Sequence, residues 1–423
     1  MKVKRNLIAA VALGAAVVCG AGLAGVTPAQ AASKAPAHTV SAKIGKPLKA
    51  AQEALQKGDY SGALSKLQEA DGMSGKSPYE QHLIHEMEGY AYVRTKQYPE
   101  AAKALEYGLT DGFLDPSQIP QRTIALSQLN YQIKNYDKAI QFGQQAIDKG
   151  YADAQTPTLV GQAYYLKNDW KGVQRFEKAQ IAAEEKKGQA PSNEALQLLL
   201  SSCLKMNPGA GGDDPCTNNA LQDLVIYHPK PEYWQQLLYS MFKTVKSDRN
   251  LLQTYRLASE VNVLKRPEDF TDFAQLAIEA GSPGEAEQVI NKGMQENIFP
   301  DSRTKGKAQR LLVDAQKAAK RDQQTLGKSA ALAAKSSNGQ EDVGLGLAYY
   351  GYQQYDKAVQ ALTEGISKGG LKSADEAKLL LGIAQLKSGN KDAALKSFKA
   401  VKGDPTLQRL ATLWSLRARQ GEA

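Results

Sequence analysis

The chain has 423 residues, of which 42% are hydrophobic and 23% are charged, and its formal net charge is +9. It is long enough to bury a substantial core, either as ordinary domains or as a stacked array. After its first 31 residues no segment is apolar enough to cross a bilayer. An export signal at the start of the chain argues against nucleic acid as a partner of this basic protein.

Residues 1–31 have the pattern of a secretory signal peptide: a basic start, an apolar run over 7–26, and small residues before Ala31. An uncleaved membrane anchor is the alternative, because the apolar run is long enough to span a bilayer. A lipoprotein signal fits less well, since Cys19 follows Ala-Val-Val. Cleavage leaves 50 basic and 44 acidic residues, a formal charge of +6. We therefore expect an exported, periplasmic protein without a transmembrane segment.

One pattern of glycine, tyrosine and alanine recurs along the rest of the chain. GYAYVRTKQYPEAAKALEYGL (Gly89–Leu109) and GLAYYGYQQYDKAVQALTEGI (Gly346–Ile366) place a tyrosine three residues after the first glycine and another six residues later. An alanine follows at the corresponding position of most units, with a valine or a leucine there in two others, and these positions are mostly 34 to 38 residues apart. These positions are Ala63, Ala101, Ala139, Val173, Leu251, Ala286, Ala358 and Ala394. Such a period indicates a repeat architecture.

The recurring unit resembles the tetratricopeptide repeat, a helix–turn–helix of 34 residues. The resemblance implies an all-α fold, a right-handed superhelical solenoid in which each unit buries the apolar side of its neighbours. Gly58, Gly281 and Gly389 are expected at turns between helices, where a residue without a Cβ relieves backbone crowding. The 72-residue interval between Ala286 and Ala358 leaves room for one divergent unit over 301–337.

This interpretation divides the chain into five segments. They are a signal peptide (1–31), a flexible N-terminal segment (32–46), N-terminal repeats (47–190), divergent repeats with a cysteine hairpin (191–264) and C-terminal repeats (265–423).

In this family the first helix of each unit lines a concave groove, and the resemblance points to specific positions of this chain. We call eight of them the candidate groove residues: Tyr90, Arg94, Gln128, Tyr131, Gln132, Gln162, Tyr165 and Tyr350. Val93, Leu166, Leu347 and Gly351 complete the carried-over set. Tyrosine offers a large contact area at low entropic cost, which suits peptide recognition. The alternative is that these rings pack between repeats. The asparagine and lysine array of the carboxylate-clamp members is absent.

Cys203 and Cys216 are the cysteines that remain after signal cleavage. An even number in an exported chain favours a disulfide, and the absence of a C-x-x-C motif or a nearby histidine argues against zinc or redox chemistry. Helices are predicted over 193–206 and 215–227, with Asp214 as N-cap and Pro215 as the first helical residue. The closest helix contact in such a hairpin joins positions about twelve apart, so a disulfide is expected to close it.

Basic residues are concentrated between 303 and 335. We call Arg303, Lys307, Arg310, Lys317 and Arg321 the basic stripe, and further lysines lie at 305, 320, 328 and 335. Only three acidic residues, at 301, 314 and 322, lie nearby. The stripe suits an acidic protein surface, anionic lipid headgroups or lipopolysaccharide. A solvated helix face is the alternative.

No pattern in the chain predicts catalysis. The stretch Ala70–Ser77 matches a relaxed phosphate-loop pattern, but the strand that such a loop needs does not precede it. His82 and His85 lie one helical turn apart, yet no third metal ligand can be identified. We therefore predict a protein that is not an enzyme and carries no cofactor or metal.

The sequence thus predicts a periplasmic scaffold or adaptor that binds a protein or peptide of the cell envelope in its groove. The alternative is an accessory subunit that docks on an envelope transporter or enzyme through its basic C-terminal half. PEYWQQLLYSMFK (Pro231–Lys243) and the downstream segment Arg266–Gln295 are similar to exported repeat proteins associated with TonB-type energy-coupling systems. Charge reversal in the basic stripe distinguishes the two interpretations.

Overall fold

The computed structural model describes residues 38–209 and 213–420, so the predicted signal peptide lies outside the described residues. These residues form twenty α-helices, one short 3-10 helix and no β-strand, which confirms the all-α prediction. The chain splits into two compact units, one up to Gln180 and the other from Ile181 onward. The division falls inside a helix, shortly before the predicted boundary at 190/191.

Unit 1 is built from α-hairpins. Its helices are α1 (Ala42–Gln56), α2 (Tyr60–Asp71), α3 (Pro78–Arg94), α4 (Tyr98–Thr110), α5 (Ile119–Gln132), α6 (Tyr136–Asp148), α7 (Thr156–Leu166) and α8 (Trp170–Lys186), the last of which ends in unit 2. Helices α1 and α2, α3 and α4, and α5 and α6 pair as neighbours, and α5 also packs on α7. Ala63, Ala101 and Ala139 are fully buried at these contacts, as the repeat pattern predicts.

The turns within the hairpins use a left-handed backbone residue. Gly58, Gly281 and Gly389 have φ of 77°, 79° and 84°, which confirms the predicted turn glycines. At four equivalent turns a residue with a side chain takes this conformation instead. These residues are Lys96, Lys134, Asn168 and Gln353. Each turn reverses the chain within a few residues, and the following helix begins directly after it.

Unit 2 combines further hairpins with one long helix. Its helices are α9 (Asn193–Met206), α10 (Pro215–Tyr227), α11 (Pro231–Thr244), α12 (Asp248–Glu260), α13 (Pro267–Glu279), α14 (Pro283–Gln295), α15 (Ser302–Lys335), α16 (Gln340–Gly351), α17 (Tyr355–Lys368), α18 (Ala374–Lys387), α19 (Lys391–Lys399) and α20 (Pro405–Arg419). Helices α9 and α10 have the predicted bounds, and Asp214 is the N-cap of α10 with Pro215 in its first turn.

The predicted divergent helix pair over 301–337 is wrong, because α15 is one continuous helix of 34 residues. The segment contains no proline, and no residue of α15 has a positive φ, so nothing in it reverses the chain. Gly306 and Gly327 remain within the helix, with open space where a Cβ would be.

The C-terminal helices of unit 2 share one hydrophobic core with α9–α14. Phe398 and Trp414 belong to the same buried cluster as Leu221, Leu237 and Phe270. Helix α20 packs on α10, α12 and α18, and α16 packs on α14. Because α15 separates them in the chain, the α16–α20 block reaches back to cover helices that precede it by more than a hundred residues. The packing of α16–α20 on these earlier helices decides which faces of unit 2 remain available to a partner.

Candidate functional site

The candidate groove residues of unit 1 lie on α3, α5 and α7, the first helices of their hairpins. The Tyr131 hydroxyl donates a hydrogen bond of 3.0 Å to Oε1 of Gln162, which joins α5 to α7. Burial of the half-buried Tyr131 ring raises the pKa of its hydroxyl, so this group remains a neutral donor. Two of the predicted residues therefore contact each other across adjacent first helices.

The aromatic rings of this face pack in pairs. Tyr131 meets Tyr136 with ring centroids 5.9 Å apart, and Tyr165 meets Trp170 edge to face at 5.0 Å. In both pairs the partner is the first residue of the second helix, five positions later. Sequence reasoning missed these partners, although an aromatic residue five positions after the groove tyrosine recurs at Tyr355 and could have indicated them.

Arg94 makes a third aromatic contact. Its Nε donates a hydrogen bond of 3.0 Å to the Tyr60 hydroxyl, and its guanidinium lies 5.3 Å from the centre of the Tyr60 ring. The Tyr60 and Tyr90 rings are 6.1 Å apart. The hydrogen bond to Tyr60 raises the pKa of Arg94, which keeps its positive charge.

The exposed part of this face combines one cation, one amide and one large apolar side chain. Arg94 and Gln132 are exposed at the ends of α3 and α5, and Leu166 is 46% exposed at the end of α7. The tyrosines behind them are half-buried. The tyrosine rings thus pack against neighbouring side chains of unit 1, and peptide recognition at this face stays a prediction.

A comparison with known protein families finds a match for these hairpins. The model of a family described as "Tetratricopeptide repeat" matches residues 48–119, 86–154 and 343–407. Tetratricopeptide repeats are thus detected in residues 48–154 and 343–407. Such repeats imply a scaffold for protein–protein interaction, and proteins built from them are generally non-enzymatic. No curated protein sequence matches the chain.

Several solved structures also align with the chain. A tetratricopeptide repeat protein from Parabacteroides merdae is 10% identical, with 88% of this chain and 99% of that chain covered and a TM-score of 0.26. The structure titled Naa15/Naa10 bound to HypK-THB is 14% identical, with 88% and 67% covered and a TM-score of 0.31. The P58(IPK) TPR domain is 12% identical, with 90% and 100% covered and a TM-score of 0.22. Similarity this weak carries no argument about a partner.

Tyr350, the candidate groove residue of the C-terminal repeats, contacts other helices of unit 2. The Tyr350 ring lies 5.2 Å from the guanidinium of Arg256 on α12, and the Gly351 carbonyl accepts a hydrogen bond of 2.7 Å from Gln288 on α14. Burial raises the pKa of Tyr350 far above its ordinary value. Tyr350 is half-buried and packs on helices that precede α15, so part of its predicted groove face is used within unit 2.

Arg256 forms a buried ion pair behind that ring. Its Nε and its Nη2 donate to the two carboxylate oxygens of Glu285 at 2.8 and 2.6 Å. Burial opposes its charge, but the nearby Glu285 carboxylate raises its pKa above the ordinary value. The pair links α12 to α14 at the surface that receives α16.

Cys203 and Cys216 are joined by a disulfide that connects α9 to α10, with their Cα atoms 5.6 Å apart. This is the arrangement that the repeat hairpin predicts for residues thirteen positions apart. Asn207 donates a hydrogen bond of 2.8 Å to the N-cap Asp214, which adds a second link at the same end of the hairpin.

The two histidines of α3 have carboxylate partners. His82 is buried, and its Nδ1 lies 2.8 Å from Asp111, while His85 Nδ1 lies 3.0 Å from Glu88. The hydrogen bond with Glu88 raises the pKa of His85. Across residues 38–209 and 213–420 there is no cluster of three or more His, Cys, Asp or Glu side chains that could hold a metal. Within the same residues no helix combines the length and apolar character needed to cross a membrane.

The basic stripe lies on α15, and all five of its side chains are exposed. At about 100° per residue, their positions fall within about 80° of arc around the helix axis. Lys328 and Lys335 continue the same face, which makes seven cations in one line about 48 Å long. The lysines at 305 and 320 lie outside this arc.

Proposed function

We propose that the protein is a non-enzymatic scaffold of the periplasm that binds a peptide segment of an envelope protein on the first-helix face of unit 1. The observation that carries the proposal is the row of half-buried tyrosines behind Arg94, Gln132 and Leu166. In unit 2, Arg256 contacts the Tyr350 ring and Gln288 bonds the Gly351 carbonyl, so part of the equivalent face is used within the unit.

The chemistry of this face favours an extended peptide with apolar and hydrogen-bonding groups. Tyrosine rings held by their neighbours lose little entropy when a ligand binds, and their hydroxyl and amide neighbours can pair with a peptide backbone. Arg94 adds one fixed positive charge, which favours an acidic group at that end of the peptide.

Affinity capture with the mature protein from an envelope extract tests this proposal. The groove variant carries Arg94→Ala, Gln132→Ala and Leu166→Ala, which alter exposed side chains. The matched control carries Lys103→Ala, Gln141→Ala and Lys171→Ala, which are exposed residues of the second helices. A stoichiometric partner that the control retains and the groove variant loses supports the proposal. Equal retention by both variants contradicts it.

The cellular location has a separate test. Because residues 1–31 have a signal-peptide pattern, the mature protein should begin directly after Ala31 and leave the cell in an osmotic-shock fraction. N-terminal sequencing of the protein in that fraction checks both points. A chain that keeps its first residues and sediments with membranes supports the anchor instead.

The second candidate function is an accessory subunit that docks on an envelope transporter or enzyme, for example a TonB-type system. The observation that favours it is the exposed basic stripe on α15. Charge reversal at Arg310, Lys317 and Arg321 should remove such a partner, whereas a peptide bound to unit 1 should remain.

A further inference from the structure

The basic face of α15 is nearly free of counter-charges. Asp314 is the one acidic residue within the arc of the seven cations. Among the residues that the structure describes, the only ion pair of these seven joins Lys307 to Asp272 at 3.9 Å, and both side chains are more than half exposed. The remaining cations thus present unneutralised charge to the solvent.

The opposite face of α15 fixes the helix along much of its length. Ala308, Ala315, Ala319 and Ala333 are buried against the rest of unit 2, and α15 packs on α13, α14 and α16. The Tyr352 hydroxyl donates a hydrogen bond of 2.6 Å to Asp322, near the middle of the helix. Lys368 donates to the Ala333 carbonyl at 2.9 Å near its end. The row of charges is therefore fixed against unit 2 before any partner binds.

The surface of this row offers charge but no apolar or aromatic pocket that would anchor a folded protein or a peptide. No aromatic side chain lies in α15, and its exposed large apolar residues are Val313 at 46% and Leu332 at 64%. Interfaces between proteins usually rely on buried aromatic or apolar anchors in pockets, and a single convex helix provides none. A flat surface with dense, mobile negative charge can instead contact all seven cations together.

We propose that the exposed face of α15 binds an anionic lipid surface, with the seven cations at the headgroups and Leu332 in contact with the interface. The Leu332 position lies within the arc of the cations, so both kinds of group meet the surface in one orientation. This activity is independent of peptide binding by unit 1. It would hold the scaffold against a membrane without a spanning segment.

Co-sedimentation with vesicles tests the proposal. The probes are vesicles of phosphatidylcholine alone and vesicles in which part of it is replaced by phosphatidylglycerol, at low and physiological salt. Each basic residue near an anionic surface contributes about fivefold to the binding constant. We expect binding only to the anionic vesicles, weakened by salt, and reduced more than 100-fold by Arg310→Glu, Lys317→Glu and Arg321→Glu together.

The matched control reverses three exposed lysines outside α15: Lys396→Glu, Lys399→Glu and Lys402→Glu. It changes the net charge equally, so it should bind vesicles much better than the stripe variant. Equal losses in the two variants would show that only net charge matters and would overturn the proposal. Soluble poly-glutamate at the same charge concentration is the competitor. If it displaces the protein completely at physiological salt, the face binds acidic chains and the lipid assignment is wrong.

Discussion

Breaking the buried ion pair of unit 2 should destabilise that unit more than any surface substitution. The side chains of Arg256 and Glu285 are 1% and 8% exposed, and two hydrogen bonds join them. Arg256→Met leaves a buried carboxylate without its partner, which costs about 3–5 kcal/mol. Glu285→Met should cost a similar amount, because it leaves the guanidinium in the same position.

The double variant with methionine at both positions distinguishes the effect of an unpaired buried charge from the effect of altered packing. It buries no unpaired charge, so its free energy of unfolding should exceed that of the Arg256→Met protein by at least about 2 kcal/mol. Urea unfolding followed by tryptophan fluorescence measures this, because Trp234 and Trp414 are buried in unit 2. The control is Lys307→Met, which removes an exposed ion pair and should cost less than about 0.5 kcal/mol.

Two results would refute this reasoning. If Arg256→Met costs less than about 1 kcal/mol, the carboxylate is reached by water or neutralised by a proton, and the pair is not a buried charge pair. If the double variant is as unstable as the single one, the loss comes from packing around Tyr350 and not from the unpaired charge.

Four further substitutions have defined outcomes. Cys203→Ser removes the disulfide and should lower the free energy of unfolding by about 3 kcal/mol in the chain-entropy model, relative to the oxidised wild type. Reduced wild type should lose the same amount, and urea unfolding measures both. Burial raises the pKa of Asp223 to about 6. The Asp223 carboxyl group therefore binds its proton more tightly in the folded state than in the unfolded state, and this contribution to stability is lost as the pH rises. Because the side chain is partly exposed, we expect the free energy of unfolding of unit 2 to fall by only about 1–2 kcal/mol between about pH 4 and about pH 6. Asp223→Asn should remove that slope in melting experiments, and an unchanged slope would assign it to other groups. Gly327→Ala should raise stability by about 0.5–1 kcal/mol, since the site is helical and open. Gly382→Ala should lower it, because the new Cβ would lie within 2.6 Å of two ring atoms of Phe398. Thermal melts compare the two glycine variants, and the same sign for both would contradict the packing at Gly382.

The local elements could be predicted from the sequence because their signals are local. Helix caps, prolines and apolar periodicity act within one or two turns, so α9 and α10 begin and end where the pattern indicates. The turn glycines and the cysteine hairpin depend on residues within one repeat unit. The first-helix face of unit 1 was also predictable in part, since adjacent repeats stack in chain order, and Tyr131 does contact Gln162.

Only the tertiary structure decided which faces are covered. The sequence of the repeat around Tyr350 resembles that of the repeats in unit 1, yet here Arg256 contacts the Tyr350 ring and Gln288 bonds the neighbouring Gly351 carbonyl. That contact depends on α15 continuing as one helix and on residues far apart in the chain sharing a core. A periodic pattern specifies that an apolar or aromatic face exists, whereas the partner that buries it is set by long-range packing. For the same reason the sequence indicated the cations of α15, but the structure decided that their whole row faces away from the core.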